Sequence, residues 1–596
     1  MPSKNFISRW FSRHLENLRL RLSHAEALPQ LVMIGILSGL LTGLVIVAFR
    51  FLIEAAQQSF LQGEGTENYE QLSLLWRFLL PVLAAVLIGL VFRLAAGSQN
   101  LQTGIIHVME RLAYHQGHLP FKNLLLQFLG ASLAIIGGFS VGREGPSVHL
   151  GAASSSLLGR YMQLPNNSIR ILIACGTAAA IAASFDTPLA GVIFSMEVVM
   201  MEYTIAGFTP VILAAVTATT VARAIFVTES TELAFTVPAM KLESLIELPY
   251  IMVCGIVIGI ITAAFIKSLE SISSLTAKRP LFLRLLLAGI ITGLIATKIP
   301  AIMGIGYDTV IDALNGTLAK TSLSILITLL AAKLLATVFA LGLGVPAGLI
   351  GPTLFCGAIA GLIMGILSQS IFQNPSSSGY YALLGMGAMM GAALQAPLAA
   401  LTAIVELTFN RDMILPGMLI IVSASLTSRV LFGKQSVFLT LMQARGLDYR
   451  NDPISQSLRR MGVAGAMDRE IASLDKNSSL EQIALTLDKN PHWILVTVND
   501  EPQSLMPSAD LARQYLELTQ ETDSKSTAPI NIDLMEIPAK RLQLQAVSLQ
   551  SNLQQALELL DKTGAGALYI NGAGKHSPTY GVLTRDLIEA GYRGAS

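Results

Sequence analysis

The sequence predicts an all-α polytopic membrane protein, built from two inverted repeats of broken, tilted helices, followed by a C-terminal pair of small α/β modules. Three observations predict it. Of 596 residues, 52% are hydrophobic and only 13% are charged, against about 25% charged in an ordinary soluble domain. Those charges are sparse from Leu31 to Phe432 and ordinary from Gly433 onward, so one part suits lipid and the other water. The apolar runs are also short and interrupted by glycine and proline. In lipid such breaks survive only where protein or a cavity satisfies the freed backbone groups.

The N-terminal stretch, residues 1–30, carries Lys4, Arg9, Arg13, Arg19 and Arg21 beside Trp10, Phe11 and several leucines. It has no short apolar core ending in a small-residue cleavage site, so it reads as an amphipathic surface helix and not as a signal peptide. Its basic residues put it on the cytosolic side. An even number of crossings puts the C-terminus there too. Short loops and a compact tail suit a bacterial inner (plasma) membrane.

The membrane domain then covers residues 31–445. Its apolar runs include Leu31–Ile53, Leu74–Leu94, Leu124–Val141, Ile169–Ala183, Gly191–Met201, Val211–Phe226, Tyr250–Ile266, Leu281–Ile299 and Leu323–Leu341. Several are too short for the roughly 20 residues of a straight span. The run divides into two halves, about 31–228 and 248–440, that match each other. Gly142–Gly159 (GREGPSVHLGAASSSLLG) corresponds to Gly348–Gly365 (GLIGPTLFCGAIAGLIMG). From Pro146 to Pro188 is 42 residues, from Pro352 to Pro397 is 45, and a glutamate follows nine residues after each later proline, Glu197 and Glu406. Interrupted segments at matching places in two halves, usually of inverted topology, mark a transport site near the midplane.

The tail, residues 446–596, has its own repeat. Ser478–Lys489 (SSLEQIALTLDK) matches Ser551–Lys562 (SNLQQALELLDK) at an offset of 73 residues, and each leads to a strand-like run, Trp493–Val498 and Ala567–Ile570. Two modules, about 461–516 and 532–592, are expected, with the polar stretch Glu521–Ala528 as a linker.

The sharpest chemical signal is Gly142-Arg143-Glu144-Gly145-Pro146. An ionisable pair inside an apolar stretch is costly and marks function by default. Pro146 suits the first turn of a helix, whose free N–H groups and positive dipole end would face the midplane. An anion fits there. Glu144 is itself an anion at that place, so its protonation or displacement would admit a substrate. Arg143 reads as structural, paired with Glu144. Gly348-Leu349-Ile350-Gly351-Pro352 repeats the framework without charges and would aim a second set of N–H groups at the same point.

With these motifs, the later Pro188-Leu189-Ala190-Gly191 and nearly the whole chain behind them, the sequence resembles the CLC chloride channel and chloride–proton exchanger family, including members with a C-terminal CBS pair. The resemblance implies a homodimer in the bilayer, one chloride path per subunit, and Glu144 as a protonatable gate. It implies anion contacts from Thr103, Gly104, Gly145, Leu349 and Ile350, with Gly142, Arg143, Pro146, Gly351 and Pro352 as framework. Four positions depart from the family pattern. Thr103 stands for a serine and Ile106 for a proline, Phe438 stands for the tyrosine that closes the inner pore, and Val198 stands where exchangers carry a second glutamate. Val198 cannot carry a proton, which favours passive chloride conduction; Glu197 or water would serve an exchanger. A CBS pair implies an adenine nucleotide, yet the Ser508–Asp510 and Thr584–Asp586 spacings are one residue short, so Asp510 and Asp586 read equally as helix caps.

Other classes fare less well. Net charge is +1, so no nucleic-acid partner is implied. An organic-anion carrier would need a fixed cation, and only Arg143 is offered. A cation channel would want acidic groups along its path. No metal-spaced histidines, phosphate loop or nucleophile–base pair suggest an enzyme or a cofactor. Cys175, Cys254 and Cys356 read as buried free thiols. Glu406, Arg411 and Lys333 read as helix-end or snorkelling charges.

Overall fold

The computed structural model describes Leu22 and residues 28–61, 67–96, 102–203, 205–226, 240–408, 410–447, 453–522, 531–572 and 579–594. Of the expected N-terminal surface helix only Leu22 and residues 28–30 fall within them; six of the eight residues of the Glu521–Ala528 linker lie outside, and Glu521 and Thr522 are helical. The chain divides into a helical unit, Leu31–Tyr161 with Ile169–Tyr449, and a second unit that holds the tail.

The helical unit opens with α1 (Leu28–Phe60), α2 (Leu74–Ala96), α3 (Gly104–Tyr114), α4 (Phe121–Ile136), α5 (Glu144–Tyr161), α6 (Asn166–Phe185), α7 (Pro188–Phe194) and α8 (Ile205–Phe226). Eight more follow in the same order: α9 (Leu248–Thr276), α10 (Leu281–Lys298), α11 (Tyr307–Leu314), α12 (Leu323–Gly342), α13 (Ile350–Ser368), α14 (Ser378–Leu394), α15 (Pro397–Thr408) and α16 (Ile414–Leu426). α17 (Val437–Ala444) closes the unit. Among the described residues, nine helical stretches are long and apolar enough to cross a bilayer.

Small residues make the two halves pack alike. Gly35, Gly39 and Gly43 on α1 lie against the backbone of Pro210, Ala214 and Ala218 on α8, while Gly255 and Gly259 on α9 lie against Ile420 and Ala424 on α16. Without a hydrophobic drive between helices in lipid, close van der Waals approach over small residues is what holds such pairs together. Gly151 on α5 meets Gly176 on α6 backbone to backbone, and Gly357 on α13 meets Gly385 on α14 in the same way. Even the broken ends correspond. Glu197 accepts hydrogen bonds from the N–H groups of Leu398 (3.3 Å) and Ala399 (2.7 Å), the start of α15. Glu406 accepts from Leu189 (2.9 Å) and Ala190 (2.8 Å), the start of α7. Each half thus caps the other half's proline-started helix, where a carboxylate suits the helix dipole.

In the tail, β1 (Ile471–Asp475), β3 (Trp493–Val498), β4 (Glu501–Pro507), β6 (Leu542–Ser548), β7 (Ala567–Asn571) and β8 (Thr579–Thr584) form one sheet in that order. β1–β3 and β6–β7 are parallel, β3–β4 and β7–β8 antiparallel, so each half of the sheet has the same topology. β2 (Asn477–Ser479) pairs separately with β5 (Asn531–Asp533). The repeated sequences start α18 (Leu480–Leu487) and α20 (Leu553–Thr563), either side of α19 (Ser508–Thr522); both repeat helices begin with a capping box, from Ser479 with Gln482 and from Asn552 with Gln555. α21 (Arg585–Gly594) ends the chain's described part.

Candidate functional site

Two glycines bring the repeats together. Gly142 and Gly348 exchange backbone hydrogen bonds, each N–H donating to the other's carbonyl at 2.7 Å. A Cβ on Gly145 would sit 2.9 Å from the Cα of Gly348, so only glycine allows this approach. The bridge sets the starts of α5 and α13 side by side. Glu144, fully buried, turns its carboxylate toward the neighbouring repeat: Oε2 accepts the Gly351 N–H at 3.1 Å and Oε1 accepts the Tyr307 hydroxyl at 2.7 Å. A helix start with a carboxylate on its free N–H is an anion seat filled by the protein's own anion.

On one side of Glu144 lies a cavity of about 110 Å³, lined by Thr103, Gly104, Gly145, Gly348, Leu349 and Phe438, with Arg445 also on its wall. Five of the residues expected at an anion path therefore share one space. Thr103 precedes α3 but its hydroxyl makes no cap hydrogen bond, so it is not spent on the helix. Gly104 differs from expectation. Its N–H donates to Gln127 Oε1 at 2.6 Å, and Gln127 Nε2 in turn donates to the Pro346 carbonyl at 2.8 Å. Ile350, buried at the start of α13, faces a separate cavity of about 30 Å³ with Ile181, Phe185 and Leu354. Phe438 is buried on α17. Val198 is buried as well. Glu197 is half-buried at its α15 cap.

On the other side is a smaller charged cavity of about 50 Å³, lined by Arg50, Glu54, Glu67, Arg143, Tyr307 and Asp308 among others. Arg143 lines this cavity and Gly145 the other, so the two chain neighbours of Glu144 line different cavities. The expected Arg143–Glu144 pair does not form. The Arg143 guanidinium lies 3.9 Å from Glu54, donates to the Ser184 carbonyl at 3.1 Å, and stacks 5.5 Å from the Tyr307 ring centroid. Lys333 is a second correction. It is neither at a helix end nor snorkelling but fully buried mid-way along α12, donating to the carbonyls of Ile302 and Gly304 at 3.0 Å each. All three cysteines are free and buried.

Sequence reading missed Tyr307, Arg445, Gln127 and a histidine pair. His107 on α3 and His149 on α5, both buried, share a hydrogen bond of 2.9 Å between Nδ1 and Nε2. Arg111 Nε donates to His107 Nε2 at 3.1 Å. Since the guanidinium can only donate, His107 carries its proton on Nδ1 and donates it to His149. His149 then carries its own on Nδ1, which has no partner among the described residues. One signal pointed to Tyr307. It follows Gly306 (φ 87°) at the start of α11, as α3 follows from Gly104 (φ 83°) in the first half.

Comparison with known proteins gives the family. The family described as "Voltage gated chloride channel" matches residues 94–429. A putative chloride channel protein, ClcB-like, of Ralstonia nicotianae is 30% identical over 370 residues, 61% of this chain and 84% of that protein. The H(+)/Cl(-) exchange transporter ClcA of Vibrio vulnificus is 27% identical over 426 residues, 69% of this chain and 89% of its own length. Among solved structures, a slow cyanobacterial Cl-/H+ antiporter superposes with a TM-score of 0.61 at 23% identity, covering 71% of this chain and 99% of that one. A eukaryotic CLC transporter covers 93% of this chain and 97% of its own, with a TM-score of 0.55 at 19% identity.

Proposed function

The chain belongs to the voltage gated chloride channel family, and from that premise we propose that it exchanges chloride for protons across a membrane, with Glu144 as the group for which both compete. One observation carries this: the Glu144 carboxylate accepts the Gly351 N–H and the Tyr307 hydroxyl, and its chain neighbours line two different cavities, Gly145 one and Arg143 the other. A proton on Glu144 and an anion in the seat are then alternatives to a carboxylate in the seat, which is the requirement for coupling. The sequence alone leaned toward passive conduction because of Val198. Relatives named as exchangers move the reading to exchange. Since Val198 holds no proton, Glu197 is our candidate for the second leg of the proton path, half-exposed although it caps α15.

The path we assign runs from the 110 Å³ cavity, with Thr103, Gly104, Gly145 and Leu349 around the anion and Phe438 as a steric gate, past Glu144. Backbone dipoles replace the ion's hydration there. Assembly as a homodimer within the bilayer, with both termini cytosolic, belongs to the same proposal. The tail we read as a CBS pair in a structural role, because Asp510 is already engaged by Arg513 (2.9 Å) and by the Lys540 N–H (3.1 Å).

The decisive experiment follows chloride efflux from liposomes and external pH together. Stoichiometric proton movement, abolished by Glu197→Gln while chloride flux persists, is expected. Chloride flux with no proton movement in the native chain would replace exchange by uncoupled conduction. Arg445 offers a separate check: a cation on the cavity wall concentrates anions, and salt screens it. Arg445→Gln is expected to lower flux roughly two- to tenfold at low ionic strength and much less at high. Equal losses at both salts would take Arg445 off the path.

A further inference from the structure

The inverted repeat builds two short helix starts around Glu144, and only one of them belongs to the anion cavity. The first, Thr103–Gly104 before α3, lines that cavity. The second, Tyr307 at the start of α11, lines the charged cavity and puts a phenol on the gate, 2.7 Å from Glu144 Oε1. Resting on the reading of Glu144 as gate, we propose that Tyr307 is a positioning residue that latches the ionised Glu144 in its seat, and that Glu67 and Lys333 together hold Tyr307 there.

The support around Tyr307 is built from opposite charges. Glu67 accepts the backbone N–H groups of Ile305 (3.2 Å), Gly306 (2.8 Å) and Tyr307 (3.3 Å). Lys333 takes the carbonyls just before them, those of Ile302 and Gly304. Its ammonium also lies 4.7 Å from the centroid of the Phe355 ring, on α13. One carboxylate and one ammonium thus grip both polar edges of the segment 302–307. Gly306 is needed within the grip, because its φ of 87° is left-handed and a Cβ there would lie 2.7 Å from Phe355. Arg143 covers the ring's face. The phenol donates to Glu144.

The charges that face this pair come from several elements: Arg143 beside Glu144, Arg50 and Glu54 on α1, Glu67 before α2, Asp308 on α11 and Lys333 on α12. The Tyr307 bond adds a donor that serves the ionised carboxylate. An O–H···O⁻ bond is among the stronger hydrogen bonds, and protonation of Glu144 forfeits that charge-assisted character. Releasing the gate therefore requires breaking the Tyr307 bond and the Gly351 bond together.

The test is chloride flux against pH in liposomes for the full chain and for Tyr307→Phe, which removes one oxygen and keeps the ring. Without the latch, Glu144 is released at lower proton concentration, so the pH of half-maximal flux should rise by about 1 unit, tenfold in proton concentration. An unchanged midpoint overturns the latch. Glu144→Gln run in parallel separates the two readings: if it keeps the native pH dependence, the gate assignment has failed, and if it is pH-independent while Tyr307→Phe leaves the midpoint unmoved, the latch alone has failed. The double variant should behave as Glu144→Gln does. A further change would mean that Tyr307 acts elsewhere. Should Tyr307→Phe not fold, site-specific 3-fluorotyrosine at position 307 keeps the shape with a stronger donor, and the midpoint must then fall; a rise or no change overturns the proposal.

Discussion

Glu144→Gln is expected to abolish the pH dependence of chloride flux and to leave the path open on both sides of neutrality. Glutamine keeps the shape of the side chain and removes its charge. The native carboxylate accepts from Gly351 N–H and from Tyr307 O–H in a fully buried seat. Hydrogen bonds to a charged group contribute about 1.5–3 kcal/mol, against about 1 for neutral ones. An amide can keep both contacts only with its oxygen on the Gly351 N–H and its NH2 donating to the Tyr307 hydroxyl, and neither bond is then charge-assisted. A deficit of about 1.4 kcal/mol per bond already changes seat occupancy about tenfold. Chloride then meets a neutral competitor that it displaces at any pH, and no proton moves with it. The measurement is chloride efflux and external pH in liposomes across the pH range. A Glu144→Gln protein whose flux still rises with acid would put the gate on another residue.

The second large effect is on the fold itself. Gly176→Val should give no monodisperse folded protein, because α5 and α6 touch there through backbone. A Cβ on Gly176 falls under 3.0 Å from the Gly151 carbonyl and from Ser155 Oγ, and a Cβ on Gly151 meets the Gly176 carbonyl as closely. Overpacking that side chains can relieve costs about 1–3 kcal/mol; here a carbonyl is the obstacle, and only separating two helices relieves it. α5 carries Glu144 in its first turn, so separation also moves the gate. Gly417→Ala is the control, since its Cβ would meet a single leucine methyl at 3.1 Å. Detergent-solubilised yield and thermal unfolding followed by size exclusion distinguish them. A Gly176→Val protein as stable as the control would mean that the α5–α6 crossing is not fixed by this contact.

Much of this protein is legible in its sequence for a simple reason: an inverted repeat writes the same constraint twice. Gly142 and Gly348 could be paired on paper because each opens a Gly–Pro framework, and the structure joins them by two backbone hydrogen bonds. The tail repeat was read at the same offset as its two capping boxes. Glu197 and Glu406 were matched by their distance from proline. Their partners were not legible, because each caps a helix in the opposite half, about 200 residues away.

Charged residues show where sequence reasoning stops. A lone lysine in an apolar run reads as snorkelling, and Lys333 is fully buried on two carbonyls. An adjacent Arg–Glu pair reads as an ion pair, and Arg143 turns away to Glu54 and Ser184 because consecutive residues at a helix start point in different directions. Tyr307 carried no motif beyond the glycine before it.

By itself the sequence determined the two-part division, the repeats and the broken helices, and singled out Glu144 as a charge set in an apolar, glycine-rich stretch, because hydropathy, glycine and proline act locally and leave their pattern in the chain. Only the tertiary structure decided which residues meet Glu144. Those contacts join loops and helix starts from both halves, and their geometry depends on how closely glycine-lined helices approach, which no local pattern encodes.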